Sequence, residues 1–320
     1  TNAAGESAKS AEVTATTSPG GGNPGPSVPK HAVTGYWQNF NNGATVQKIS
    51  EVSDQYDIIA VSFADATTTP GAITFNLDSA GLGGYTVAQF KADIKAKQAA
   101  GKNVILSVGG EKGTISVNDA ASANNFANSA YALMQEYGFN GVDIDLENGI
   151  NPTYMSQALR SLSQKAGSKL VITMAPQTID MQSTQGGYFK TALNIKDILT
   201  VVNMQYYNSG SMLGCDGKVY SQARWTSSPR WPASSSKAAS TRPRWHRCPG
   251  LAPGRGWRLR VSQRRQQRAG LPHQGTGCGS FKPAKTYPSL RGAMTWSTNW
   301  DAASGSAWSN GVGPHVHNLP

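Results

Sequence analysis

Short runs rich in Val and Ile alternate with helical stretches from residue 31 onward, and this alternation restricts the fold more than any other feature of the 320-residue chain. Val33–Gln38 and Tyr56–Ala64 read as strands, and Val87–Ala100 as a helix stopped by Gly101. Asn103–Gly109 is a third strand, followed by a helix over Ala120–Tyr137 that ends at Gly138. A fourth strand precedes the helical stretch Pro152–Ala166, Lys169–Ala175 is the fifth strand and Ile198–Tyr207 the sixth. Strands that alternate with helices indicate a parallel sheet covered by helices. Six such units, with room for more, favour a closed α/β (β/α)8 TIM barrel over an open doubly wound sheet. The missing Gly-x-Gly-x-x-Gly after the first strand weakens a dinucleotide-binding alternative further.

The fourth strand, Phe139-Asn140-Gly141-Val142-Asp143-Ile144-Asp145-Leu146-Glu147, carries acids at i, i+2 and i+4. Alternate side chains of a strand share a face, so the three carboxyls stand together while Val, Ile and Leu pack on the other side. Crowded carboxylates raise one another's pKa, which suits a general acid. No basic residue lies in the strand to turn the row into an ion-pair network. Glu147 reads as the last strand residue before Asn148-Gly149-Ile150, at the C-terminal strand ends where such barrels keep their chemistry.

The net charge of +11 invites a nucleic-acid reading until its location is considered. Residues 223–277 contain eleven Arg and Lys237 without one acidic residue, leaving 17 basic against 18 acidic residues elsewhere. This segment holds four of the eight Trp and has no Ile, Phe, Tyr or Met, so neither a strand nor an amphipathic helix can be drawn through it. A basic arm with interleaved Trp and a solvated insertion are two readings of it. A third fits better: Arg, Pro, Ala, Gly and Trp have GC-rich codons, the composition a GC-rich gene gives out of frame. A compensated pair of frame shifts over residues ~223–277 would replace the seventh strand–helix unit that a barrel needs. No nucleic-acid partner is therefore expected.

Residues 1–30, rich in Ser, Thr, Gly and Pro, read as a linker, with 31–320 as the catalytic domain and a lost module suspected before the linker. The opening residues lack the charged start and apolar run of a signal peptide, as in a secreted chain whose leader has been removed or in a piece excised from a longer protein. No run reaches the ~18–20 apolar residues of a membrane span. Cys215, Cys248 and Cys278 are an odd count without zinc-site spacing. Arg291–Trp296 reads as the eighth strand, and His315-Val316-His317, with no carboxylate nearby in sequence, as a surface tail and not a metal site.

The fourth strand closely resembles the signature of glycoside hydrolase family 18, the chitinases and their relatives. Ser107-Val108-Gly109-Gly110, Met174-Ala175-Pro176-Gln177, Gln205-Tyr206-Tyr207-Asn208 and Trp296 resemble further family landmarks in order. The likeness covers residues ~31–222 and ~278–319 and is nearest to secreted bacterial chitinases.

That resemblance implies endo-acting, retaining hydrolysis of β-1,4-linked N-acetylglucosamine polymers, with the substrate's acetamido oxygen as nucleophile. Glu147 would be the acid/base, Asp145 would hold the acetamido N–H, and Asp143 behind it would share a proton with Asp145. Tyr207 is the candidate for the acetamido carbonyl, with Tyr206 as the fallback. Trp296 would form the apolar floor, and Gln205, Tyr36, Phe63 and Gln177 are further candidate contacts. No cofactor or metal is implied; the partner is chitin or a chitooligosaccharide, met by a secreted monomer. An endo-β-N-acetylglucosaminidase on N-glycans and a non-catalytic chitin-binding relative are the alternatives, the latter typically without the acid.

Overall fold

The computed structural model describes residues 27–206 and 290–320, and the backbone of two short strands at 211–213 and 219–221. Seven parallel strands form the sheet: β1 (Ala32–Gln38), β2 (Ile58–Ala66), β4 (Asn103–Gly110), β5 (Gly141–Leu146), β6 (Val171–Met174), β7 (Val201–Val202) and β10 (Gly292–Trp296). They lie in the order β10-β1-β2-β4-β5-β6-β7. A short β3 (Ile73–Thr74) adds antiparallel to β2, and β8 (Ser211–Leu213) pairs with β9 (Val219–Ser221). All seven strands expected from sequence are present. Pairing of β10 with β1 joins the two ends of the chain, as a closed (β/α)8 barrel requires. The expected seventh strand–helix unit and the frame-shift reading of 223–277 lie outside the described residues, as do the three cysteines.

Local chemistry accounts for where the helices begin and end. Helix α1 (Val87–Ala99) starts with a Thr86–Gln89 capping box. Helix α2 (Ala120–Tyr137) is capped by Asp119, whose carboxylate accepts the Ser122 N–H, and ends on Gly138 at φ 85°. Helix α3 (Pro152–Ala166) has Asn151 as its cap and Pro152 in its first turn. Helix α4 (Gly187–Asn194) leads into β7.

Strand alternation sorts side chains into two apolar layers. Ala32, Tyr36, Ile58, Ala60, Ile105 and Met294 fill the barrel interior. Val33, Trp37, Ile59, Val61, Val104 and Leu106, one residue out of step, pack outward under the helices. On β5 the same alternation sends Val142, Ile144 and Leu146 outward.

Two sequence expectations need correction. Strand β5 ends at Leu146, so Glu147 is the first residue of the following turn, released from the ladder at the barrel mouth. The C-terminal residues are not a surface tail either: α5 (Thr298–Ala303) and α6 (Ala307–His317) pack back onto the barrel. Trp308 stacks on Tyr56 with ring centres 6.0 Å apart, Val316 is fully buried, and His317 Nε2 lies 2.8 Å from Asp57 Oδ2. Burial of Trp308, Val312 and Val316 offsets the poor helix propensity of Gly311, Gly313 and Pro314. Among the described residues no group of three or more His, Cys, Asp or Glu could hold a metal ion. Among them, too, no helix is long and apolar enough to cross a membrane.

Candidate active site

Asp143 sits on β5 in register with Ser107 of β4 and Thr173 of β6. Both neighbours turn their hydroxyls onto it: Ser107 Oγ donates to Oδ2 at 2.7 Å and Thr173 Oγ1 to Oδ1 at 2.5 Å. The Tyr36 hydroxyl, reaching across the interior from β1, donates to Oδ2 at 2.9 Å. Burial pushes the Asp143 pKa up, and the three hydroxyl donors oppose that rise. These donors make Asp143 the better place for the negative charge.

Asp145, two residues nearer the mouth, is also buried. Its Oδ1 accepts from Gln205 Nε2 at 2.7 Å, and the same amide donates to Ala175 O at 2.8 Å. Burial, then the charges of Asp143 and Glu147, push its pKa well above the usual carboxylate range. Asp145 is the member of the pair that keeps a proton, although their titrations are coupled. No hydrogen bond joins the two; the structure gives Asp143 its hydroxyls and Asp145 its amide.

Glu147 is exposed at the cleft surface. Gln177 Nε2 lies 3.4 Å from its Oε2, at the long end of the hydrogen-bond range. Partial burial of its carboxyl, then the charges of Glu111 and Asp180, raise its pKa, while the amides of Gln205 and Gln177 oppose the rise. The site therefore favours the protonated form of the acid that faces solvent.

Opposite this acid-and-amide wall stands an aromatic one. The Trp296 ring lies 5.5 Å from Phe63 and 6.2 Å from Phe40, both stacked, and 5.8 Å from Tyr36. Trp296, Tyr36 and Phe63 come from the adjacent strands β10, β1 and β2, so the two walls are built from opposite sides of the barrel. The peptide bonds Ser62–Phe63 and Trp296–Ser297 are cis.

Glycines let these walls meet. A Cβ on Gly109, at φ +120°, would lie 2.3 Å from Asp145 O, and one on Gly110, at φ +77°, would lie 2.6 Å from the Phe63 ring. Ser107-Val108-Gly109-Gly110 thus combines a hydroxyl for Asp143 with a backbone that can approach both β5 and Phe63.

Of the sequence candidates, the structure brings Asp143, Asp145, Glu147, Tyr36, Gln205, Gln177, Phe63 and Trp296 to one cleft. Tyr207 lies outside the described residues. Gln205 faces the interior while Met204 and Tyr206 join the outer apolar layer, the alternation expected from sequence. Sequence reasoning missed Thr173 and Phe40 as members of the site, and Glu111 and Asp180 as charges acting on Glu147 from outside it. Thr173 could have been found by counting inward positions on the strand beside Asp143. Phe40 and Glu111 lie in loops and Asp180 in the short 3-10 turn Thr178–Met181, all too short for periodicity to carry a signal.

A model of the glycosyl hydrolases family 18 matches residues 32–309. The chain belongs to glycosyl hydrolases family 18. It is 32% identical to Chitinase Chi52 of Paenibacillus xylanexedens over 98% of this chain and 66% of the relative. It is 33% identical to Exochitinase 1 of Streptomyces olivaceoviridis over 91% of this chain and 57% of the relative. The chain thus spans no more than about two thirds of the length of these curated relatives. A crystal structure of a protein assigned as Chitinase A in Streptomyces coelicolor superposes with a TM-score of 0.82. The two are 66% identical, covering 91% of this chain and 99% of the other. A family 18 chitinase from Chromobacterium violaceum superposes at 0.73 with 30% identity, covering 96% of this chain and 91% of the other. The barrel architecture and the family membership rest on these likenesses together with the sheet described above.

Proposed function

We propose that this glycoside hydrolase is a secreted chitinase, cleaving β-1,4-N-acetylglucosamine linkages within chitin chains with retention at the anomeric carbon. One observation carries the reading: a protonation-prone Glu147 stands beside a buried Asp145–Asp143 pair and faces an aromatic wall across the cleft. A sugar ring is amphipathic, so its C–H face stacks on Trp296 while its edges meet the acids and amides. A cleft with one wall of each kind matches that character.

In this mechanism Glu147 protonates the glycosidic oxygen and later takes a proton from the attacking water. The substrate's acetamido oxygen attacks the anomeric carbon, so no carboxylate acts as nucleophile. Asp145 accepts from the acetamido N–H and stabilises the oxazolinium intermediate as its charge develops. Asp143 behind it supplies the negative charge that lets the pair share a proton as Asp145 shifts between partners. Gln205 and Gln177 hold the two outer acids, and Tyr36 fixes Asp143. Trp296 is the sugar floor, with Phe63 supporting its ring, and Tyr207 binds the acetamido carbonyl. The chain works as a monomer, needs no cofactor, and joins residues 31–320 as one catalytic domain to the 1–30 linker.

Incubation with N-acetylchitohexaose, with anomers followed by NMR, tests the reading. Internal cleavage giving β-anomeric products is expected. Release of a labelled N-glycan core with chitin oligomers untouched would replace chitin as the substrate, and binding without turnover would make the chain a lectin.

A further inference from the structure

The short turn after β6 does more than connect two elements. Gln177 N donates to Asp180 Oδ2 at 2.9 Å and Asp180 N donates back to Gln177 O at 3.1 Å, which closes residues 177–180 into one tight unit. That unit is bolted to the neighbouring strand direction. Thr178 Oγ1 donates to Gln205 O at 3.0 Å, Gln205 N donates to Pro176 O at 2.9 Å, and Gln177 and Gln205 form a parallel bridge. The two glutamines therefore stand side by side, Gln205 on Asp145 and Gln177 on Glu147.

We propose that Asp180 is a positioning residue for Glu147: its carboxylate locks the turn that aims the Gln177 amide at Glu147 and places a second negative charge near that acid. This rests on the reading of Glu147 as the acid. Asp180 is partly buried, and the described partner of its carboxylate is one backbone N–H of its own turn, that of Gln177; no basic group opposes it among the described residues. The titratable groups that face Glu147 are Asp145 two residues before it on β5, Glu111 after β4 and Asp180 after β6, with Tyr188 of α4 behind Asp145 and Asp180. All are acidic or neutral. Geometry and charge thus act in opposite senses on Glu147, the amide favouring the anion and Asp180 favouring the proton.

The two contributions separate by mutation. Asp180→Asn keeps an oxygen for Gln177 N but removes the charge. Its alkaline limb of kcat/KM should fall by about 0.5 pH unit, with the plateau within about twofold of wild type. Asp180→Ala also frees the turn and should lose a further ~5- to 10-fold in kcat, the order of one hydrogen bond. Gln177→Leu placed on Asp180→Ala should then cost almost nothing more, since both act through one contact. An Asp180→Asn profile that superposes on wild type, or losses of Asp180→Ala and Gln177→Leu that multiply, would overturn the proposal. A 13C NMR titration of Glu147 in glutamate-labelled full chain reads the same effect without turnover. A lower midpoint in Asp180→Asn supports the positioning role even if chitin is the wrong substrate, and an unchanged midpoint refutes it even if chitin is the right one.

Discussion

Gln205 Nε2 stands 2.7 Å from Asp145 Oδ1 while its other amide hydrogen reaches Ala175 O at 2.8 Å, so one side chain ties a buried acid to the end of β6. This donor holds the resting Asp145 carboxyl against the end of β6, in a place where water cannot supply a partner. Gln205→Leu should cost about 10- to 100-fold in kcat/KM on a chitooligosaccharide, the loss of a buried hydrogen bond to an acid and of its orientation. Steady-state kinetics measure it; a change under twofold would show that Asp145 is held by other means.

The alkaline limit of activity should follow Glu147. Its pKa is raised by burial and by the charges of Glu111 and Asp180, so the acid keeps its proton to higher pH than a free glutamate. Removing a charge lowers that pKa and narrows the active range from the alkaline side. Glu111→Gln should therefore move the upper limb of the kcat/KM profile downward and leave the plateau near wild type.

Asp145 should weaken the fold as pH rises. Its folded-state pKa lies above its unfolded value, so its stabilising contribution is full below the unfolded pKa and is lost as pH climbs through the folded pKa. Asp145→Asn removes the titration. The variant should melt at the same temperature as wild type in strong acid and several degrees higher near neutrality, with activity nearly abolished. Thermal melts across pH check both the sign and the window.

Trp296→Ala removes the ring against which Phe63 and Phe40 stack. The acids across the cleft are untouched, so the defect should appear as loss of sugar binding, roughly 10- to 100-fold in kcat/KM. Titration of Glu147 should stay unchanged.

Much of this site was legible in the sequence because strand periodicity and chemistry coincide there. Asp143, Asp145 and Glu147 at i, i+2 and i+4 had to share a face, and Gln205 had to oppose Met204 and Tyr206. What escaped lay where tertiary contacts decide. The 307–317 stretch, with Gly311, Gly313 and Pro314, reads as a tail until Trp308 and Val316 are seen buried against the barrel. Phe40 sits in a loop and Asp180 in the short 3-10 turn Thr178–Met181, segments whose course no periodicity predicts. Thr173 looked like any β-branched strand residue until register placed it beside Asp143.

Residues 223–277 carry their own prediction. Translating the underlying DNA in the other two frames should yield an apolar strand–helix pattern, and a frame-corrected chain should be more stable and more active than the chain as written. If neither alternative frame supplies such a pattern, the frame-shift reading fails.

The most direct measurement compares wild type with Glu147→Gln on N-acetylchitohexaose near neutral pH. Glutamine keeps the size and the neighbours of the acid but cannot deliver a proton. The wild-type chain should release shorter oligomers, and Glu147→Gln should retain binding while losing turnover by about 10²-fold or more. Hydrolysis that survives in Glu147→Gln would contradict the assignment of Glu147 as the acid on which the account depends.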